Sequence, residues 1–209
     1  MRFAFALCAT LALGIGAEPV GKATVGGPVA PDGVEVQNDF PREFHIRNRG
    51  GSDGAGLCVF ASLQQSAKWQ DVEPLTGVFE WMKTRPGGGW PEKVDRVVDD
   101  MCRAKKLKKP AYLQIEGTDF ELVRRACRLG RMPAVTYAFS PSGRYGGARI
   151  AHMVNLLHAD ERWCAVLDNN FPGTIEWMTP AEFQRVWTGG GQGWAVILLA
   201  DGPPPPPVN

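Results

Sequence analysis

"ARIAHMVNLLHADERWCAVLDNN" (148–170) holds two apolar runs separated by the acidic pair Asp160-Glu161. The pattern predicts strands over 148–159 and 162–170, joined by a tight hairpin at Asp160-Glu161. A two-residue turn pairs 159 with 162, and therefore His152 with Asn169. A one-residue change of register brings Asp168 or Asn170 opposite instead. Every such register leaves a carboxylate or carboxamide beside His152, a mid-strand imidazole in an otherwise apolar run. A buried imidazole needs such a partner. His152 and His158 are six residues apart, which puts both on one face of a regular strand; His158, beside the turn, is read as exposed. His45 is read as a surface or packing residue.

Outward from the hairpin, "TPAEFQRVW" (179–187) reads as a short helix and "GWAVILLA" (193–200) as a closing strand. Upstream lie a strand (111–117), a helix (119–130) and a strand (132–140). Thr118 and Glu121 form a candidate capping box for that helix, and Gly130 a candidate stop. Residues 91–107 predict a helix with Pro91 in its first turn and a stripe of Val94, Val97, Val98 and Met101. Residues 57–70 predict another. Helices come first and antiparallel strands last, so the expected class is α+β, one domain over 41–200.

The chain has 209 residues, 44% of them hydrophobic and seven of them Trp, which suits one globular domain with a sizeable core. A net charge of +1 gives no electrostatic case for nucleic acid. The basic run "RAKKLKKP" (103–110) is read as a solvated helix end. Residues 1–17 match a signal peptide, a short basic start followed by an apolar run too short for a comfortable span. The expected location is therefore secreted or periplasmic, with no membrane association of the mature form. Residues 18–40 read as a linker and 201–209 as a polyproline tail. Beyond residue 17 the cysteines are Cys58, Cys102, Cys127 and Cys164. An even count in an oxidising compartment is compatible with two disulfides, whereas a free Cys58 leaves at most one.

Cys58 stands where the glycine-rich stretch "GGSDGAG" (50–56 region) gives way to a helix. A helix N-terminus favours a thiolate. With His152 to take the thiol proton, and Asn169 or Asp168 to orient His152, the pattern points to nucleophilic catalysis. His and Cys show no metal-ligand spacing, so no metal or cofactor is expected.

These segments resemble the papain-like cysteine peptidase superfamily. "NRGGSDGAGLCVFAS" (48–62) is similar to its nucleophile segment, and "GGGWPEKVDRVV" (87–98) to the Gly-Gly-aromatic-Pro stretch that follows. "IAHMVNLL" resembles its His strand and "VLDNN" its Asn strand. "LVRRACRLGRMPAVTYAF" and "TPAEFQRVW" look like the bacterial branch related to peptidase family C39. The resemblance implies a papain-like fold, a helical N-terminal half packed on a C-terminal antiparallel sheet. It implies a thiol hydrolase cleaving peptide or isopeptide bonds, with a peptide or protein substrate. Cys58 would be the nucleophile, His152 the general base, and Asn169 or Asp168 the orienting residue. Gly88, Gly89 and Trp90 would line the cleft, and the Cys58 amide would form half of an oxyanion hole. The chain departs from the pattern where the family places an oxyanion-hole Gln: here stand Asn48 and Arg49. The usual inhibitory propeptide has no counterpart in 18–40. An inactive module that binds a peptide or protein, and an acyl transferase using the same residues, are the alternative expectations.

Overall fold

Apolar runs punctuated by glycine and proline give six strands in the computed structural model, which describes residues 31–200. They are β1 (Tyr112–Gly117), β2 (Ala134–Tyr137), β3 (His152–Ala159), β4 (Cys164–Leu167), β5 (Ile175–Met178) and β6 (Gly193–Leu198). All pairings are antiparallel, in the order β1-β6-β2-β3-β4-β5. The helices are α1 (Cys58–Trp69), α2 (Val78–Met82), α3 (Pro91–Lys105), α4 (Phe120–Arg128) and α5 (Pro180–Thr188). The α+β class and the antiparallel sheet hold.

Packing differs from a helical half set against a sheet. Residues of α1, α2 and α3 bury Met153, Val196 and Leu198 on one face of the sheet. Residues of α4 and α5 bury Val135, Val154, Leu156 and Ala195 on the other. The sheet is thus the middle of three layers, because its strands carry apolar side chains on both faces.

Several boundaries are corrected. The expected signal peptide and polyproline tail lie outside the described residues. Within the expected linker, the last residues belong to the domain. Val36 and Phe40 are buried against Leu157, Trp163 and Trp177. Asn38 is fully buried and donates to the carbonyls of Cys127 (3.1 Å) and Leu157 (2.9 Å). Asp119 caps α4, accepting from the Leu122 amide (3.3 Å), and Thr118 does not; Glu121 pairs with Arg124 instead. Gly130 does end α4, with a φ of 79° that suits glycine. The full capping box belongs to α5, between Thr179 and Glu182. Strand β5 escapes the periodicity because its centre is Glu176, a buried carboxylate in so short a run.

The β3–β4 hairpin is wider than two residues. Asp160 Oδ1 accepts from the Arg162 and Trp163 amides (both 2.7 Å), and the first pair is Ala159 with Cys164. Between Leu156 and His158 the register shifts by a bulge, after which Leu156 faces Val166 and Asn155 faces Leu167. One step further, Val154 is opposite Asp168 and Met153 opposite Asn169. Asp168 therefore shares a face with His152, whereas Asn169 shares the α1 face with Met153. The bulge also turns His158 to the face opposite His152. There it is buried rather than exposed, packed on Trp177 (5.2 Å between centroids) with Nε2 bonded to Asp160 (3.0 Å).

α1 is buried from Val59 to Ala67 and meets β3 through polar side chains. Gln65 Nε2 donates to Asn155 Oδ1 (2.7 Å). Asn155 Nδ2 donates to the Ser62 carbonyl (3.0 Å) and to Ser66 Oγ (2.9 Å). Ser62 Oγ reaches the Met153 carbonyl (3.1 Å). Such groups are costly to bury unpaired, so their pairing fixes how far along β3 the helix sits. Replacing Asn155→Leu should cost roughly 3 kcal/mol, because it strands the Gln65 amide in a dry interior. Urea unfolding should show a lowered midpoint with an unchanged m-value.

Candidate active site

The glycine-rich loop before α1 is held from both sides. Asp53 Oδ1 accepts from the amides of Ala55 (3.1 Å) and Gly87 (2.7 Å). Gly88 N–H donates to the Gly56 carbonyl (2.7 Å). The approach leaves no room for side chains: a Cβ on Gly87 would lie 1.8 Å from the Ala55 oxygen, and one on Gly89 2.5 Å from Val59 Cγ2. Glycine is required at both positions by contact, not by φ. On the other side, the Leu57 amide donates to Asn48 Oδ1 (3.0 Å). Cys58 thus begins α1 at a fixed place, half-buried, and Leu57 at the N-cap offers no side-chain acceptor to the first-turn amides. Those N–H groups are free for an anion or a developing oxyanion.

His152, at the start of β3, lies across from it. Its Nε2 bonds to Asp168 Oδ1 at 2.7 Å, which leaves Nδ1 as the nitrogen facing Cys58. Burial lowers the His152 pKa, but hydrogen bonds to Asp168 and to Cys58, with their negative charges, outweigh it and raise it to about 9. Burial also raises the Asp168 pKa, and the bond and charge of His152, with donors from Tyr145 and the Asn170 amide, bring it below the usual carboxyl value. Asp168 is a carboxylate and His152 an imidazolium at neutral pH.

Asn169 does not orient His152. Its amide donates to the carbonyls of Cys58 (3.2 Å) and Met153 (2.9 Å) and to Ser62 Oγ (3.0 Å), tying the first turn of α1 to the sheet. The bulge is the reason: it exchanges the faces that a two-residue hairpin gives to 168 and 169. Trp90 is also corrected. It caps α3, is 46% exposed under Lys93, and stands outside the cleft lining. Gly88 and Gly89 do line the cleft, although the Gly88 N–H is committed to Gly56. Neither residue at the expected oxyanion-hole position supplies a donor there. The Asn48 amide is spent on Leu57 and on Asn170 Oδ1 (3.0 Å), and Arg49 is exposed outside the cleft lining. All four described cysteines are free thiols.

Tyr145 is the site residue that sequence reading missed. Its hydroxyl donates to Asp168 Oδ2 (2.6 Å) and accepts from Asn170 Nδ2 (2.9 Å), and its ring meets His152 edge-on at 6.1 Å. Burial, then Asp168, pushes the phenol pKa up, so it remains a donor. The available signal was one aromatic residue in the glycine-rich loop "SPSGRYGGAR" (140–149) just before the His strand.

The cleft that opens beside Cys58 and His152 has a volume of about 400 Å³. Its walls are Gly88 and Gly89 on one side and Thr136, Ala138, Trp187, Gly189 and Trp194 on the other. Comparison with protein-family models and with curated proteins finds no match to this chain.

A raised His pKa stabilises the fold wherever the folded form holds a proton that the unfolded form has lost. The His152 contribution is complete below about pH 6.5 and disappears as pH rises through about 9. Melting temperature should fall over that window in the wild type, and the fall should flatten in Asp168→Asn. Tyr145→Phe removes a donor that holds the Asp168 pKa down, so that pKa should rise, read by NMR titration of the carboxyl carbon, while the fold persists.

Proposed function

We propose that the chain is a papain-like cysteine hydrolase, exported, acting on peptide or isopeptide bonds. The observation that carries this reading is the line Asp168–His152–Cys58. A buried carboxylate holds one imidazole nitrogen while the other faces a half-buried sulfur at a helix N-terminus. A structural His–Asp pair has no use for a thiol on its far side. A cleft on the same side of the sulfur supplies room for substrate.

The reaction starts from the thiolate–imidazolium form of the pair, in which His152 carries the proton. Cys58 attacks the carbonyl carbon, and the oxyanion is met by first-turn N–H groups of α1. Collapse breaks the C–N bond, and His152 gives its proton to the leaving amine, leaving a thioester and a neutral imidazole. Neutral His152 then takes a proton from water as the water attacks the thioester. The carboxylic acid product leaves, and the thiolate–imidazolium pair is restored. Asp168 keeps Nε2 protonated throughout, so that Nδ1 is the nitrogen that exchanges protons.

A binding module is the second reading, favoured by the commitment of Asn48 and the exposure of Arg49, which leave the oxyanion without a side-chain amide. One such donor is worth about 2.7–4 kcal/mol in the transition state. Alkylation of Cys58 by iodoacetamide separates the two. The hydrolase reading expects a fast rate persisting well below pH 8 and lost in His152→Ala. A rate that rises only near the ordinary thiol pKa of about 8.5, indifferent to His152, would sink it.

A further inference from the structure

The cleft carries a charge that the chemistry above does not use. Of the side chains lining it, Arg149 is the cation besides His152, and no Asp or Glu lines it. Among the described residues Arg149 has no ion-pair or hydrogen-bond partner. Its backbone is nonetheless fixed, three residues ahead of His152: the next amide, Ile150 N–H, donates to the Ala138 carbonyl (2.8 Å), and the Ala138 amide donates to Val186 at the end of α5 (3.0 Å). The guanidinium lies over Gly189, where an added Cβ would be 3.1 Å from Nη2 and 2.9 Å from the Ala138 Cβ. Gly189 takes φ 56° as it ends α5, so a side chain there is excluded by both conformation and space. The close of the helix thus makes the gap that Arg149 occupies. Gln192, also without a partner, lines the same wall.

Arg149 is exposed at the cleft and presents a planar fork of N–H donors that no acceptor among the described residues takes. His152 is already paired with Asp168, so Arg149 is the lining cation that no carboxylate pairs. Net charge elsewhere does not explain this, since the whole chain carries only +1. We infer that Arg149 is a specificity determinant of this site, selecting peptides that carry a carboxylate side chain, Asp or Glu, near the bond presented to Cys58. Gln192 adds a neutral donor to the same carboxylate. The inference deepens the hydrolase reading and takes its site from it, but recognition of the acidic residue needs only the cleft.

Two readouts keep the two readings apart. Internally quenched peptides, with Glu, Gln, Leu or Lys placed in turn at each position around the cleavable bond, report turnover by the wild type. The same peptides, fluorescently labelled, report binding to Cys58→Ala, which cannot turn over. The Glu peptide should be preferred over its Gln counterpart at one position by roughly 2- to 5-fold in kcat/KM and in affinity. Arg149→Gln should abolish that preference, and Arg149→Glu should move it to Lys. Binding preference without turnover would keep Arg149 in its role and overturn the hydrolase reading. Turnover or binding indifferent to the acidic residue, a preference that survives Arg149→Gln, or failure of every peptide to bind would overturn the inference.

Discussion

The seam of amide and hydroxyl side chains between α1 and β3 sets the geometry on which everything else depends. An apolar helix on an apolar strand can slide and rotate at small cost, because the hydrophobic effect has no direction. Asn155, Gln65, Ser62 and Ser66 remove that freedom. Each buried donor accepts one placement of its partner, and a displacement of an ångström breaks several bonds together. Asn169 extends the seam to the helix's first residue, through the Cys58 carbonyl. Cys58 and His152 belong to elements far apart in sequence, and this seam holds them in register.

A second chain of bonds closes on the same place. The Leu57 amide donates to Asn48, Asn48 to Asn170, Asn170 to Tyr145, and Tyr145 to Asp168, which holds His152. His152 faces Cys58, the neighbour of Leu57, so the chain returns to where it began. Every donor and acceptor along it points consistently, which matches a neutral phenol and an ionised Asp168. Strain or loosening at any member reaches both the sulfur's backbone and the imidazole's partner.

Local rules made much of this legible. Glycines at 87 and 89, the Cys at a helix start and the stripe of α3 are short-range features, and each was readable from neighbouring residues. What sequence hid depends on longer relations. The role of Asn169 turned on a bulge that no local pattern announces, and so did the burial of His158. Tyr145 joins the site only because its loop folds back over β3 and the end of β4. Residues 34–40 looked like a linker because their polar anchors, Asn38 and Gln37, find partners 89, 119 and 122 residues away. β5 was hidden by a buried carboxylate, Glu176, whose partners Ser140 (2.6 Å) and Tyr137 come from another strand and its following loop.

The bulge has a combinatorial consequence. Side chains alternate between the faces of a strand, so the assignment of Asp168 to the imidazole and Asn169 to the helix is a matter of odd and even count. Adding or removing one residue in the hairpin, without a compensating bulge, exchanges the two: the carboxylate would be driven under α1 and the amide set against the imidazole. Sequence drift in this hairpin is therefore confined to changes that preserve parity. Two adjacent residues with opposite duties record the length of a turn that closes earlier in the same hairpin.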